Sequence, residues 1–238
     1  MKKLIFLFVL LFIASFAFAE NKDAGFCPKT KMKEDCLKCH TVPNFKLIES
    51  KPDETNVYPI QEMKVLNGKG YLYLKFIEDD TVKKFFDYLD MKGIKYAIIE
   101  IHCPGGGLFA ATRIVNLMHH WESKGGIIET RVYGFALSGG FMVFIAGTKG
   151  HRFVSPYADL MWHEIISIEM FAIKFSTPSD KEEEARVLRH LQDVRNSWIA
   201  SRGKLSKQEL DEKIKKKEFW MTGEEAIKFG FADGLIKD

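Results

Sequence analysis

The chain has 238 residues, of which 46% are apolar and 28% charged, so it can bury one sizeable hydrophobic core. Its formal net charge is +3, and removal of an N-terminal leader with two lysines would leave about +1. These values exclude an intrinsically disordered chain and argue against a nucleic-acid binder that relies on bulk positive charge.

Residues 1–19 have the features of a secretory signal peptide. Two lysines precede an apolar run from Leu4 to Ile13, and the small-residue ending Ala17-Phe18-Ala19 suits cleavage. The alternative is an uncleaved membrane anchor, but the run from Leu4 to Ala19 is shorter than the ~20 residues that cross a bilayer. We therefore predict an exported protein, periplasmic or secreted after cleavage.

Residues 20–56 are polar, contain three of the four cysteines and show no sustained helical or strand period. They predict a small irregular appendage in front of a larger domain at residues 57–238.

That domain alternates between strand and helix patterns. Strands are predicted at residues 71–77, 96–101, 127–133, 152–154, 160–163 and 165–175, the first after a turn at 67–70. Helices are predicted from residue 79 or 80 to 93 and at 138–146, 179–202 and 222–229. A further helical pattern passes through Trp121, and another ends at Lys217. The alternation predicts an α/β fold with parallel strands joined by right-handed crossovers.

Two glycine-rich turns follow predicted strands, Pro104-Gly105-Gly106-Gly107 and the segment from Gly134 to Gly140, which contains Ser138. Small neighbours let a serine at a helix start project into a cleft, where the Gly139 N–H would face a developing oxyanion. A single glycine-rich turn more often packs closely or binds phosphate, so neither loop alone predicts catalysis.

His163 is the candidate general base, because it ends a short predicted strand 25 residues after Ser138. An imidazole, whose ordinary pKa is about 6.5, can take a serine proton at neutral pH. For His119, His120, His151 and His190, surface or core packing is the simpler interpretation.

Several motifs occur in a familiar order. They are Ile-His-Cys-Pro-Gly-Gly-Gly at 101–107, Gly134-x-Ala136-x-Ser138-x-Gly140, the segment from Ala146 to Pro156, Met161-Trp162-His163, and the closing segment from Met221 to Asp233. From about Val57 to Asp238 the chain resembles the Clp protease proteolytic subunit.

The resemblance implies a ClpP/crotonase-like α/β fold of repeated β-β-α units. It also implies a serine peptidase with Ser138 as nucleophile, His163 as base, and Gly106 and Gly139 as oxyanion-hole donors. Ser138-Gly139-Gly140 is also similar to signal-peptide peptidases of the same broad fold, which use a lysine base. Lys149 is the nearest lysine, but His163 in its matching place favours the Ser-His form.

The third triad residue of the family, an aspartate, would fall near Ile214, where no acid is aligned. The candidates are Asp211, Glu212, Glu218 and Asp159, and the acid stays unassigned. Without an acceptor on its second ring nitrogen, the tautomer of His163 would be less well fixed.

Cys36-Leu37-Lys38-Cys39-His40 is the C-x-x-C-H pattern of covalent haem c attachment, with His40 as axial ligand of the iron. With Cys27 the same residues could instead bind zinc, or two of the cysteines could form a disulfide. The second axial ligand stays open among Met32, Met63, His119 and His120. Cys103 is expected to be a buried apolar residue.

The leading hypothesis is an exported, ATP-independent Clp-like serine endopeptidase that cleaves peptides or unfolded proteins. The chain has no Walker motif, and no ATPase partner is expected outside the cytoplasm. The resemblance implies a homo-oligomeric ring. The alternatives are a haem-bearing redox, electron-transfer or sensor protein on a degenerate Clp-like scaffold, and a binding module with a structural metal.

Overall fold

The structure is a computed structural model in which residues 63–166 and 177–237 are described. The predicted signal peptide, the appendage with its C-x-x-C-H motif and most of the predicted strand at 165–175 lie outside these residues. Within them, no helix has the length and apolar character needed to cross a membrane.

Nine strands and six helices are found in the described ranges. The strands are β1 Met63–Leu66, β2 Lys69–Leu74, β3 Tyr96–Ile101, β4 Ile127–Val132, β5 Phe135–Leu137, β6 Arg152–Val154, β7 Asp159–Trp162, β8 Phe219–Thr222 and β9 Gly234–Leu235. The helices are α1 Asp79–Met91, α2 Leu108–Ser123, α3 Gly139–Ile145, α4 Pro178–Ser201, α5 Lys207–Ile214 and α6 Gly223–Lys228.

The strands form two sheets. The larger has the order β1-β2-β3-β4-β6-β9 and is parallel except for β1. The smaller has the order β5-β7-β8, and a single bridge between Cys103 and Ala136 extends it. Because β3, β4 and β6 are each followed by a segment of the smaller sheet, the β-β-α repeat is visible, and the predicted mixed α/β class is confirmed.

The core lies between the larger sheet and helices α1 to α3. Alternate residues of β2 are buried, as expected of a strand with one face on a core. α1 buries Val82, Phe85, Phe86 and Leu89, the spacing of one helical face. All seven residues of α3 are buried, which fixes the helix that begins directly after Ser138.

Four short strands, β1, β5, β8 and β9, were not predicted, and the turn before β2 is tighter than expected. Asn67 and Gly68 both have positive φ, 51° and 72°, as a two-residue hairpin of type I′ requires. β2 therefore begins at Lys69, inside the predicted turn, and pairs with β1.

Candidate active site

Ser138 lies at the junction between β5 and α3, where it is the N-cap residue of the helix. Its backbone has φ 51° and ψ −116°, a region that residues with a side chain rarely adopt. Its N–H donates to the Met161 carbonyl at 2.8 Å, which ties this sharp turn to β7. A strained strand-to-helix turn of this kind presents a serine hydroxyl at the mouth of a cleft.

His163 follows the last residue of β7, and the parallel pairing of β5 with β7 brings it beside Ser138. Its Nε2 lies 2.9 Å from Ser138 Oγ. Its Nδ1 contacts the main-chain carbonyl of Glu164, which can only accept, so Nδ1 carries the proton. Nε2 is therefore the acceptor for the Ser138 hydroxyl, the relation of a base to its nucleophile.

The two glycine-rich loops meet at Ser138. A methyl group on Gly105 would lie 2.9 Å from Ser138 Cβ, and one on Gly139 would lie 3.5 Å from the Gly106 nitrogen. In the described part of the chain, neither the Gly106 nor the Gly139 N–H donates to a main-chain or side-chain acceptor. Two amide donors are thus available next to the serine, as an oxyanion hole requires.

A cavity of about 560 Å³ opens on this pair. It is lined by Pro104, Gly106, Gly107, Leu108, Ser138, Gly139, Met142, Met161, Trp162, His163, Ile165 and Ile166. Apart from the serine and the histidine the lining side chains are mainly apolar, so the cavity suits an apolar group next to a polar reacting centre.

Ile77 is a site residue that sequence reasoning missed. Its Cβ would lie 2.9 Å from a methyl group on Gly106, and its Cγ1 3.3 Å from one on Gly139. It therefore packs against both proposed oxyanion donors. Its place at the end of a predicted strand gave no signal of this contact.

Three of the four candidate acids are engaged or placed elsewhere. Asp211 accepts from Asn196 Nδ2 at 2.6 Å and from Lys207 Nζ at 2.7 Å. Glu212 is exposed and lies 3.9 Å from Lys215 Nζ. Asp159 is exposed at the start of β7, opposite Thr222.

Glu218 is the fourth candidate, and it directly precedes β8, the strand that pairs with β7. The last antiparallel pair of β7 and β8 is Trp162 with Phe219, so His163 and Glu218 are the first residues beyond that end of the ladder. The Glu218 carboxylate accepts from Trp220 Nε1 at 2.8 Å. Among the described residues, no carboxylate is hydrogen-bonded to the His163 ring.

Neither Lys149 nor Cys103 lines this cavity. Lys149 is exposed in the turn after α3, beyond the end of the helix opposite to Ser138, and it does not line the cavity. Cys103 is fully buried, as predicted, and burial raises the pKa of its thiol. In the described ranges no group of three or more His, Cys, Asp or Glu side chains could hold a metal ion.

A Ser-His pair beside two free amides has the geometry that acyl transfer by a serine needs. Comparison with known proteins agrees with this class. The family model "Clp protease" matches residues 75–238, and the chain belongs to the Clp protease family.

Curated relatives are similar at a moderate level. The chain is 26% identical over 140 residues to the ATP-dependent Clp protease proteolytic subunit of Streptococcus sanguinis (strain SK36). The aligned region covers 58% of this chain and 67% of the relative. It is 28% identical over 138 residues to that of Leuconostoc citreum (strain KM20), covering 57% and 64%. It is 28% identical over 150 residues to ATP-dependent Clp protease proteolytic subunit 3 of Synechococcus sp. (strain CC9902), covering 63% and 71%.

Proposed function

We propose that the protein is an exported serine endopeptidase that cleaves peptides or unfolded proteins without ATP. The observation that carries this proposal is the 2.9 Å contact between His163 Nε2 and Ser138 Oγ at the wall of an apolar cavity. Membership of the Clp protease family supports the same reaction class.

In the proposed reaction, Ser138 Oγ attacks the carbonyl carbon of a peptide bond while its proton passes to His163 Nε2. The carbonyl π bond opens, and the N–H groups of Gly106 and Gly139 bind the oxyanion. The imidazolium then gives its proton to the leaving amine as the C–N bond breaks. A water molecule, deprotonated by the same nitrogen, hydrolyses the acyl-enzyme and releases Ser138.

Two different groups support His163 in this scheme. The Glu164 carbonyl orients the ring, because it accepts the Nδ1 proton and leaves Nε2 free to act as base. We propose that Glu218, which directly precedes β8, supplies negative charge to the imidazolium that forms during the reaction. In other serine hydrolases one buried carboxylate has both roles.

The cavity lining favours substrates with an apolar side chain next to the cleaved bond. Met142, Met161 and Ile165 surround the space beside Ser138, and none offers a charge to pair with a charged residue. Peptides with Leu or Met before the cleaved bond should therefore be cut faster than peptides with Asp or Lys at that position.

The direct test is hydrolysis of a fluorogenic peptide with an apolar residue before the reporter, in buffer without nucleotide. We expect turnover by the wild type and its loss in Ser138→Ala, with an unchanged circular dichroism spectrum. Turnover that persists in Ser138→Ala, or no turnover by folded wild type with any peptide of a diverse library, would contradict the proposal.

We further propose a homo-oligomeric ring that works without an ATPase partner. The similar proteins are named proteolytic subunits of ATP-dependent proteases, but the predicted leader would place this chain outside the compartment that holds ATP. Sedimentation velocity should give one species several times heavier than the chain. A monomer that hydrolyses peptides would contradict the ring.

We also propose that Cys36 and Cys39 attach haem c and that His40 binds its iron. The spacing of these residues and the predicted export support this. The protein, produced in a cell with a haem-attachment system, should show a Soret band that survives denaturation and is lost in Cys36→Ala/Cys39→Ala. A colourless protein with bound zinc, or with a disulfide, would contradict it. A coloured protein without Ser138-dependent hydrolysis would favour the redox or sensor alternative.

A further inference from the structure

We infer that Glu164 is a positioning residue, whose side-chain carboxylate anchors the segment 163–166 so that its own carbonyl stays on Nδ1 of His163. The inference rests on the proposed function for its kinetic consequence. The anchor itself is a structural statement that can be tested without any activity.

Segment 163–166 joins the general base to the cavity wall. His163 begins it, and Ile165 and Ile166 line the cavity. In the described part of the chain two hydrogen bonds link the residues after His163 to other elements. Glu164 Oε2 accepts the Lys216 N–H at 3.1 Å, and the Ile165 N–H donates to Gln192 Oε1 at 2.5 Å.

The turn after α5 is built so that one amide is available to Glu164. The N–H groups of Lys215 and Lys217 donate to the carbonyls of Asp211 and Ile214, which ends the helix. Lys216 lies between them with φ 57°, in the left-handed region, and its N–H donates to Glu164 instead. The carboxylate thus takes the one donor that the helix end leaves open.

The anchor matters because the acceptor on Nδ1 belongs to the same residue. The peptide unit between residues 164 and 165 is held at its N–H by Gln192 and, through residue 164, by the bond from the Lys216 N–H. If the Glu164 side chain is removed, only the Gln192 bond remains, and the carbonyl leaves the ring more often. The imidazole is then free to adopt the other tautomer, in which Nε2 carries a proton and cannot accept from Ser138.

The test compares three variants of the full chain, Glu164→Ala, Glu164→Gln and the control Glu212→Ala. Glu212 is also exposed, and its carboxylate lies 3.9 Å from Lys215 Nζ. Its removal therefore takes one negative charge from the same region of the surface without removing the bond to the Lys216 N–H. We expect Glu164→Ala to lower kcat about tenfold with KM unchanged. Glu164→Gln should restore kcat to within about threefold, because its amide oxygen can accept the same N–H. Glu212→Ala should match the wild type.

Equal losses of kcat in Glu164→Ala and Glu164→Gln, or no loss of kcat in either, would overturn the inference.

Amide hydrogen exchange tests the anchor without a measurement of activity. The Lys216 amide should exchange faster in Glu164→Ala than in wild type and Glu164→Gln, and equal rates in all three would overturn the anchor. If wild type shows no Ser138-dependent hydrolysis, the proposed function fails, while the exchange rates still decide the anchor.

Discussion

Ser138, the proposed nucleophile, has an unfavourable backbone conformation. With φ 51° and ψ −116°, a residue with a side chain pays a conformational cost of about 1–3 kcal/mol that the surrounding structure must offset. The buried helix α3 and the hydrogen bond to Met161 hold the turn in place. Strain at this residue and its proposed function thus have a common structural cause.

This strain predicts opposite effects on stability and activity. Ser138→Gly should abolish hydrolysis, yet raise the free energy of unfolding by about 1 kcal/mol relative to Ser138→Ala, because glycine adopts this conformation without a Cβ clash. Urea denaturation of the two variants provides the comparison. Equal midpoints, or a less stable glycine variant, would show that the turn is not strained.

Glu218 should act through its charge, since its carboxylate is not bonded to the His163 ring. Glu218→Gln is expected to lower kcat/KM by up to about tenfold, and the difference should shrink at high salt because the group is exposed. Glu212→Gln is the control for a nearby charge. A salt-independent loss of several thousandfold would instead show that Glu218 holds the ring directly, as a triad carboxylate does.

At the scale of elements, the loop 104–107 and the turn 134–140 form one unit, because the first packs directly on the second. Gly105 has φ 110°, and a methyl group there would approach Ser138 Cβ and, at 3.0 Å, the Leu137 carbonyl. Gly107 has negative φ, and a methyl group added there would have no neighbouring atom within 4 Å.

These two glycines form a matched pair for mutation. Gly105→Ala should cost about 2 kcal/mol of stability and most of the activity, because both its conformation and its space are forbidden. Gly107→Ala should remain within about 0.5 kcal/mol of wild type. Thermal unfolding and peptide turnover test both, and similar behaviour of the two variants would argue against the close approach of the loops.

The helices and the central parallel strands could be predicted because each carries its own periodicity. β3 and β6 have the predicted bounds, and α1, α2 and α4 agree within a few residues. β5 could not be predicted, because its three residues lie inside the glycine-rich segment 134–140 and form a strand only by pairing with β7. β8 and β9 were not predicted either, because they too form strands only by pairing, with β7 and β6 respectively.

The same contrast applies to the candidate site. Ser138, His163 and the two glycines have motif signatures, so the sequence brings them forward as candidates. The contacts of Ile77 and of the Glu164 carbonyl have no such signature, since one is a packing contact and the other involves a main-chain atom that every residue has. The register of β7 and β8 was needed to distinguish Glu218 from the other three acids.

At the scale of the whole molecule, the C-terminal strand is held to the sheet by an ion pair between Arg152, which is buried, and Asp233, whose side chain is 20% exposed. Arg152, 3% exposed, donates to Asp233 Oδ1 at 2.6 Å and to Oδ2 at 2.9 Å, and its remaining N–H groups bond to the carbonyls of Arg202 and Gly230. Burial alone would raise the pKa of Asp233, but the hydrogen bonds and charge of Arg152 outweigh it and lower this pKa.

The lowered pKa fixes the sign of a pH effect on stability. A carboxylate whose pKa is lower in the folded protein stabilises the fold at pH values above its pKa in the unfolded chain, which is about 3.9. This stabilisation is lost as the pH falls through the pKa of the carboxylate in the folded protein. Asp233→Asn should therefore be less stable by about 2 kcal/mol at pH 7, and the difference should narrow below about pH 4.

The control for this pair is Asp193→Asn, which removes an exposed ion pair with Lys207. It should change stability by less than about 0.5 kcal/mol. Urea unfolding at pH 7 and pH 3 measures both variants. A difference between Asp233→Asn and wild type that does not vary with pH would show that charge does not hold this strand.

The central claim is that Ser138 is a nucleophile activated by His163, and covalent labelling measures it most directly. After incubation with a fluorophosphonate, intact-protein and peptide mass spectrometry should find one adduct per chain, on Ser138. The labelling rate should fall at least a hundredfold in His163→Ala, a loss typical of a missing general base. An adduct on another residue, or equal labelling of wild type and His163→Ala, would contradict the account.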